Sequence, residues 1–363
     1  MPSYDEQIKS LEDELKKTKY NKRTQHHIGL VKAKIARLKE RQAGRSKSSP
    51  SEGFAVKKSG NATVALLGFP SVGKSTLLNA LTDADSKTAS YAFTTVTVVP
   101  GMMEYKHARI QILDLPGIIR GASKGSGRGR EVISVLRQAD LVLIVLEPGN
   151  TEEQLDALRR EVYDSGIRLD ENVPDVKLTK NAKGGITIYR TVRTGIDNKT
   201  IESVLREFRI PNATIILRQD ISVDQLIDVI ESNKVYTKSL VIVNKIDMLS
   251  LPEAEKLIGR VGASLGISAS TGHNIGVLKD HIFDSLAFIR IYLKEVGKKP
   301  DMDIPLVLSG KVSVRSVCNS LHRDFEDKFR FAKVWGKSAK FDGQKVNIDH
   351  LLSDNDVLEI TLV

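Results

Sequence analysis

The stretch Gly68–Thr76, GFPSVGKST, constrains the fold more than any other part of the chain. An apolar run from Ala62 to Leu67 precedes it, and the pattern reads as strand, tight loop, helix. Gly68, Gly73, Lys74 and Ser75 fill the spacing G-x-x-x-x-G-K-[ST]. Phosphate recognition needs that spacing for physical reasons. Glycines let the backbone wrap until several N–H groups converge on phosphate oxygens. Lys74 adds a point charge at the β- and γ-phosphates, and the Ser75 hydroxyl can ligate Mg²⁺. A helix from Gly73 to about Leu81 turns its positive end toward the anion. The candidate cradle is therefore Gly68, Phe69, Pro70, Ser71, Val72, Gly73, Lys74, Ser75 and Thr76.

A nucleotide switch needs a hydroxyl that reaches Mg²⁺ and the γ-phosphate together, on a segment that lets go after hydrolysis. The polar, turn-like residues 83–92 lead into Phe93-Thr94-Thr95, with Thr95 the first choice and Thr94 the second. A strand over Ala108–Leu113 ends in Asp114-Leu115-Pro116-Gly117. An acid at such a strand end can hold Mg²⁺, usually through water, and the Gly117 N–H can bond the γ-phosphate. Ile118 follows, where many GTPases carry a water-orienting glutamine. A hydrocarbon side chain cannot orient water, so slow intrinsic hydrolysis is expected. The glycine-rich, charged stretch up to Glu131 predicts a mobile loop. Arg120, Lys124, Arg128 and Arg130 in it could neutralise transition-state charge, bind RNA or sit in solvent.

A strand over Ser239–Val243 ends in Asn244-Lys245-Ile246-Asp247. The Asp247 carboxylate can accept from guanine N1–H and N2–H₂ together, a pattern adenine cannot match. Asn244 can bond the base edge and neighbouring backbone, and the Lys245 stem can lie over the ring. A later strand end, Ser268-Ala269-Ser270, fits the loop whose N–H, that of Ala269 for preference, meets guanine O6.

Charge and composition bound the rest. The chain has 363 residues, 40% hydrophobic and 28% charged, with a net charge of +10 that suits a polyanionic partner. Cys318 is the single cysteine, which excludes an internal disulfide framework and fits a reducing compartment. The start MPSYDEQ is unlike a signal peptide, and the apolar run at Leu141–Leu146 is too short to span a bilayer. A cytoplasmic protein with no membrane role is expected. Residues 1–42 read as two helices forming an antiparallel hairpin, with Ile8, Leu11 and Leu15 on one and Ile28, Val31, Ile35 and Leu38 on the other. From Lys16 to Lys47 there are twelve Lys and Arg residues and one acid, Glu40, a steep imbalance that points to RNA or the ribosome. The expected divisions are a basic hairpin and linker at 1–53, a nucleotide domain at 54–168 resumed at 238–289, an inserted α+β module at 169–237, and a separate unit at 290–363 whose ββαββ order suggests a ubiquitin-like grasp fold. The expected class is thus α/β, with a mostly parallel sheet in the nucleotide domain.

Taken together, GFPSVGKST, YAFTTVTVVPG, ILDLPGII, GRGRE and NKID resemble the developmentally regulated GTP-binding (DRG) family, close to the Obg group, and the resemblance covers the whole chain. It implies a P-loop GTPase domain interrupted by a module like domain 2 of ribosomal protein S5, and a C-terminal TGS domain. By motif it makes Lys74, Thr95 and Gly117 catalytic, Ser75, Thr95 and Asp114 ligands of Mg²⁺, and Asn244, Lys245 and Asp247 readers of GTP or GDP. It also implies association with the ribosome through the hairpin and the TGS domain, as a monomer or heteromer, with a zinc-finger partner in eukaryotic members. Some relatives bind K⁺ through an Asn in the phosphate loop; Ser71 stands there in this chain, so K⁺ is only a weak further candidate. The rival readings are an RNA-binding scaffold with a merely structural GTP site, and an ATPase of the same fold.

Overall fold

The computed structural model describes residues 3–19, 21–45, 58–82, 99–116 and 127–363. Thr94, Thr95, Gly117, Ile118, Arg120 and Lys124 lie outside these residues. The chain divides into two compact units, one of residues 1–53 with 171–236 and one of residues 54–170 with 237–363.

The first unit begins with helices α1 (Tyr4–Lys17) and α2 (Gln25–Arg45). Ser3 caps α1 in a capping box with Glu6, which satisfies two N–H groups the helix itself leaves free. In the second unit, β1 (Ala62–Leu67), α3 (Lys74–Leu81), β2 (Val99–Tyr105), β3 (Ala108–Asp114), α4 (Gly127–Leu136), β4 (Leu141–Leu146), α5 (Thr151–Asp164) and β5 (Ile167–Leu169) follow in order. The chain then enters the inserted part of the first unit with β6 (Val176–Lys180), β7 (Ile186–Arg190), α6 (Asn198–Glu207), β8 (Ala213–Leu217) and α7 (Val223–Glu231). It returns through β9 (Val235–Val243), α8 (Leu251–Val261), β10 (Leu265–Gly266) and α9 (Ile275–Ser285). The last stretch is β11 (Phe288–Leu293), β12 (Leu306–Ser309), α10 (Val314–Leu321), α11 (Asp324–Asp327), β13 (Phe329–Trp335), β14 (Gln344–Val346) and β15 (Asp356–Leu362).

The main sheet of the second unit runs β10-β9-β4-β1-β3-β2, with β5 paired to β9. Five of these strands are parallel and β2 is antiparallel to β3. Both faces are covered, so β1 and β4 are buried at every position. Alternate residues of β1 serve opposite sides. Val64 and Leu66 join α3 and α9; Ala65 and Leu67 join α4, α5 and α8. Each such leucine stabilises the fold by about 1.5–3 kcal/mol through burial. The glycine-rich stretch is helical from Gly127, not loop throughout, because Val132, Val135 and Leu136 recruit it to the core. The order reverses at β1, which pairs with β3 on one side and β4 on the other. Ligands of open α/β sheets gather at the carboxyl ends of strands beside such a switch point.

The C-terminal part holds a five-stranded sheet, β12-β11-β15-β13-β14, with β11 and β15 parallel and the other pairs antiparallel. Val314, Val317 and Cys318 of α10 pack onto it. Cys318 is fully buried, and that burial raises its thiol pKa, so it is a core residue and an unreactive one. Trp335 is half-buried beneath the Lys294 ammonium, 4.4 Å from its ring centre.

The two helices of the hairpin cover each other, and α2 has a further partner. Ile8, Leu11 and Leu15 of α1 meet Val31, Ile35 and Leu38 of α2. A second face of α2 lies on the inserted module, with Ala33 in the same core as Ile201, Val204 and Ile227. A Cβ at Gly29 would stand 2.9 Å from Thr200 Cγ2, so glycine permits this approach. Lys32 pairs with Asp224 at 2.6 Å, Arg37 with Glu207 at 3.0 Å, and Gln25 donates to the Gly195 carbonyl at 3.0 Å. The module's own sheet runs β6-β8-β7. Among the described residues no helix is long and apolar enough to cross a membrane.

Candidate functional site

Parallel strands send their carboxyl ends to one edge of the sheet. The loops after β1, β3, β4, β9 and β10 therefore meet there, and four of the five carry the residues singled out from the sequence.

The phosphate loop joins β1 to α3. Gly73 caps α3 at φ +95°, a left-handed conformation that a side chain would strain. A Cβ there would also come within 2.4 Å of Asn244 Nδ2, so two constraints require glycine. Val72 is fully buried and pins the loop to the core, whereas Pro70, Ser71, Ser75 and Thr76 form an exposed rim. Lys74 is only 7% exposed. Its ammonium donates to the Gly68 carbonyl at 3.1 Å and the Phe69 carbonyl at 3.0 Å. Burial pushes its pKa down, and the Asp114 carboxylate offsets part of that. A buried cation whose hydrogen bonds, among the described residues, go to loop carbonyls is poised for a phosphate.

Ser75 Oγ donates to Asp114 Oδ2 at 2.5 Å. Asp114 ends β3 and is buried, while Ser75 lies in the first turn of α3. A hydroxyl and a carboxylate in contact make an oxygen-only donor pair, which suits a hard divalent cation such as Mg²⁺. The next two residues part company. Leu115 is 1% exposed and packs into the core, whereas Pro116 is exposed.

The loop after β9 grips the phosphate loop across the sheet edge. Asn244 is 2% exposed, and its Nδ2 donates to the Val72 carbonyl at 2.9 Å. Its Oδ1 accepts from the Ala269 N–H at 3.0 Å. That N–H is thus used within the protein, where the sequence suggested it for the base O6. A buried amide group takes the nearest acceptor. Ser268 is fully buried, its hydroxyl 3.1 Å from that of Ser270. Among the described residues the Ser270 N–H has no acceptor. Lys245 sits at φ +62°, and its ammonium donates to the Ser71 carbonyl at 2.7 Å and to Glu147 Oε2 at 2.6 Å. Asp247 lies in the short turn Ile246–Met248, exposed, with no partner for its carboxylate among the described residues. Glu147, just after β4, is a member of this cluster that sequence reasoning missed. Followed by Pro148-Gly149-Asn150, it reads as an ordinary turn residue.

The hairpin turn is the other feature of interest. Asn21 Oδ1 accepts from the N–H groups of Arg23 and Thr24, each at 2.9 Å, and Thr24 Oγ1 donates to the Lys19 carbonyl at 2.8 Å. This bonded turn displays Lys17, Lys19, Lys22 and Arg23, all exposed and without carboxylate partners among the described residues. By contrast Lys16, Lys32, Arg37 and Lys39 are paired with acids.

Comparison with known proteins agrees with this geometry. Residues 63–180 match the family described as 50S ribosome-binding GTPase, 183–288 the C-terminal region of that domain, and 289–362 the TGS domain. An uncharacterized GTP-binding protein of Methanocaldococcus jannaschii is 51% identical over 364 residues, covering 99% of this chain and 93% of its own length. Human developmentally-regulated GTP-binding protein 2 is 42% identical over 358 residues, covering 98% of each chain. The developmentally-regulated GTP-binding protein 1 homolog of Dictyostelium discoideum is 43% identical over 364 residues, again covering 98% of each. Near-full-length identity at this level, with the motifs gathered at one sheet edge, shows that the chain belongs to the developmentally-regulated GTP-binding protein family of GTPases.

Proposed function

We propose that the chain binds GDP and GTP at this sheet edge, hydrolyses GTP slowly, and meets ribosomal RNA through the hairpin turn. One observation carries the nucleotide reading: Asn244 hydrogen-bonds the phosphate loop at Val72, 172 residues before it in sequence, so a base reader and a phosphate cradle form one site. In this reading the phosphates lie on the N–H groups of the loop and the α3 N-terminus. Lys74 leaves its two carbonyl partners for the β- and γ-phosphate oxygens. Asp247 accepts from guanine N1–H and N2–H₂, and the Ser270 N–H supplies the donor to O6. Ser75 and Asp114 would hold Mg²⁺, which when bound neutralises charge on the phosphates. Thr95 and Gly117 keep the γ-phosphate roles that the family resemblance implies. Catalysis is then positioning and charge stabilisation of water attack on the γ-phosphate, in line with departing GDP.

Single-turnover assay with γ-labelled GTP tests this. With Ile118 in place of a glutamine, phosphate should appear more slowly than the roughly 10⁻⁴–10⁻³ s⁻¹ of an unassisted GTPase that keeps the glutamine. No phosphate release, alone or with ribosomes present, would favour the structural-site scaffold.

The RNA reading rests on the four unpaired cations of the turn. Deleting the whole hairpin would uncover the core that Ala33 shares with the inserted module, so loss of binding there would be ambiguous. Changing Lys17, Lys19, Lys22 and Arg23 together to Gln disturbs no ion pair among the described residues. The dependence of log K on log salt should then flatten by roughly 0.7–0.9 for each phosphate no longer neutralised, about 3 if every one of these cations meets a phosphate. An unchanged slope would remove the turn from the RNA interface.

A further inference from the structure

We propose that Glu147 is a positioning residue for guanine recognition, holding the Lys245 ammonium against the phosphate loop so that the Lys245 stem forms a fixed wall for the base. The inference rests on the guanine-site reading and deepens it.

Lys245 reaches its place through a flexible four-carbon stem, and nothing in the stem selects one path. Two acceptors on two separate loops select it. The Ser71 carbonyl lies 2.7 Å from Nζ and Glu147 Oε2 lies 2.6 Å from it. Both side chains are about one-third exposed, so the pair is screened less than a surface ion pair yet does not bear a deep desolvation penalty. Glu147 is itself well anchored. Thr151, 1% exposed, donates its hydroxyl to the Glu147 carbonyl at 3.0 Å, and the Asn244 N–H donates to the Leu146 carbonyl at 2.8 Å. The end of β4 is thereby tied to the end of β9, next to the lysine it serves. A carboxylate near bound phosphates would repel them if left bare. Its pairing with Lys245 removes that cost, which explains how an acid is tolerated at this edge. Without Glu147 the ammonium keeps one neutral acceptor, the Ser71 carbonyl, and is free to swing into solvent.

The role acts through Lys245, so a double-mutant cycle isolates it. E147Q should weaken GDP binding about fivefold to tenfold, mostly through faster dissociation. Pyrophosphate, which has no base, should bind both proteins alike. In a K245A background, E147Q should change GDP affinity by less than about twofold. E147D should recover part of the loss, because it keeps the charge on a shorter stem. Thermal melts of each variant exclude unfolding as the cause. An unchanged GDP affinity in E147Q, an equal loss for pyrophosphate, or a full effect in K245A would each overturn the proposal. Wild-type protein that binds no GDP would instead overturn the guanine site itself, so the two failures are distinguishable.

Discussion

Replacing Asp247 by Asn lowers GDP affinity by roughly 10²–10⁴-fold and makes XDP the better ligand. The carboxylate stands exposed, without a partner among the described residues, at the sheet edge that carries the phosphate loop. In the proposed site it accepts two N–H bonds from guanine, each charge-assisted and worth about 1.5–3 kcal/mol. An amide at the same position accepts one of these and sets its own NH₂ against the other donor. Xanthine has a carbonyl where guanine has its amino group, and therefore complements Asn. A site built to hydrogen-bond a base rejects the mismatched one strongly, since the partner that the bound base covers is left unpaired. Competition among GDP, XDP and ADP for the variant checks this. Unchanged GDP preference would contradict the assignment of Asp247 and leave the purine unread by this loop.

Replacing Lys74 by Ala should cost at least about 10²-fold in GTP affinity, since in the proposed site its charge meets two phosphates away from bulk water. The variant should still fold. Removing a cation that burial already disfavours leaves the Gly68 and Phe69 carbonyls without its ammonium and takes a positive neighbour from Asp114, but removes no apolar packing. The pH dependence has a definite sign. In the empty protein burial holds the Lys74 pKa below the ordinary lysine value, and bound phosphate raises it. Affinity is complete below the lowered pKa and falls as pH rises from there through the raised one. Nucleotide binding in that window should therefore take up protons, and in Lys74→Ala it should not. Calorimetry in two buffers of different ionisation enthalpy measures the uptake. Equal uptake by both proteins would assign it elsewhere.

The nucleotide domain was legible in the sequence where local chemistry is specific. A strand, a glycine-bearing loop and a helix leave little freedom, and Asp114 and Asn244 lie at strand ends as their motifs require. Less local features were hidden. The α2 helix has apolar residues toward both α1 and the inserted module, so its periodicity blurs and its second partner is invisible. Strand β6, VKLTK, alternates with lysines at a sheet edge and is not among the strands singled out from the sequence. Strand β14 spans three residues, too few for a period to register, so the C-terminal sheet has five strands where the ββαββ pattern implies four. Helix α2 also runs to Arg45, into the stretch from Ala43 that reads as linker. Glu147 was hidden for another reason. Its partner is 98 residues away, and only folding brings them together.

In the proposed site a phosphate cradle at Gly68–Thr76 and a base-reading carboxylate at Asp247 enclose one ligand. Titration of the purified protein with a fluorescent N-methylanthraniloyl derivative of GDP, in Mg²⁺, tests this most directly. A saturable signal, reversed by GDP or GTP and untouched by equal ADP, is the predicted result. A flat signal, or displacement by ADP as readily as by GDP, would contradict it.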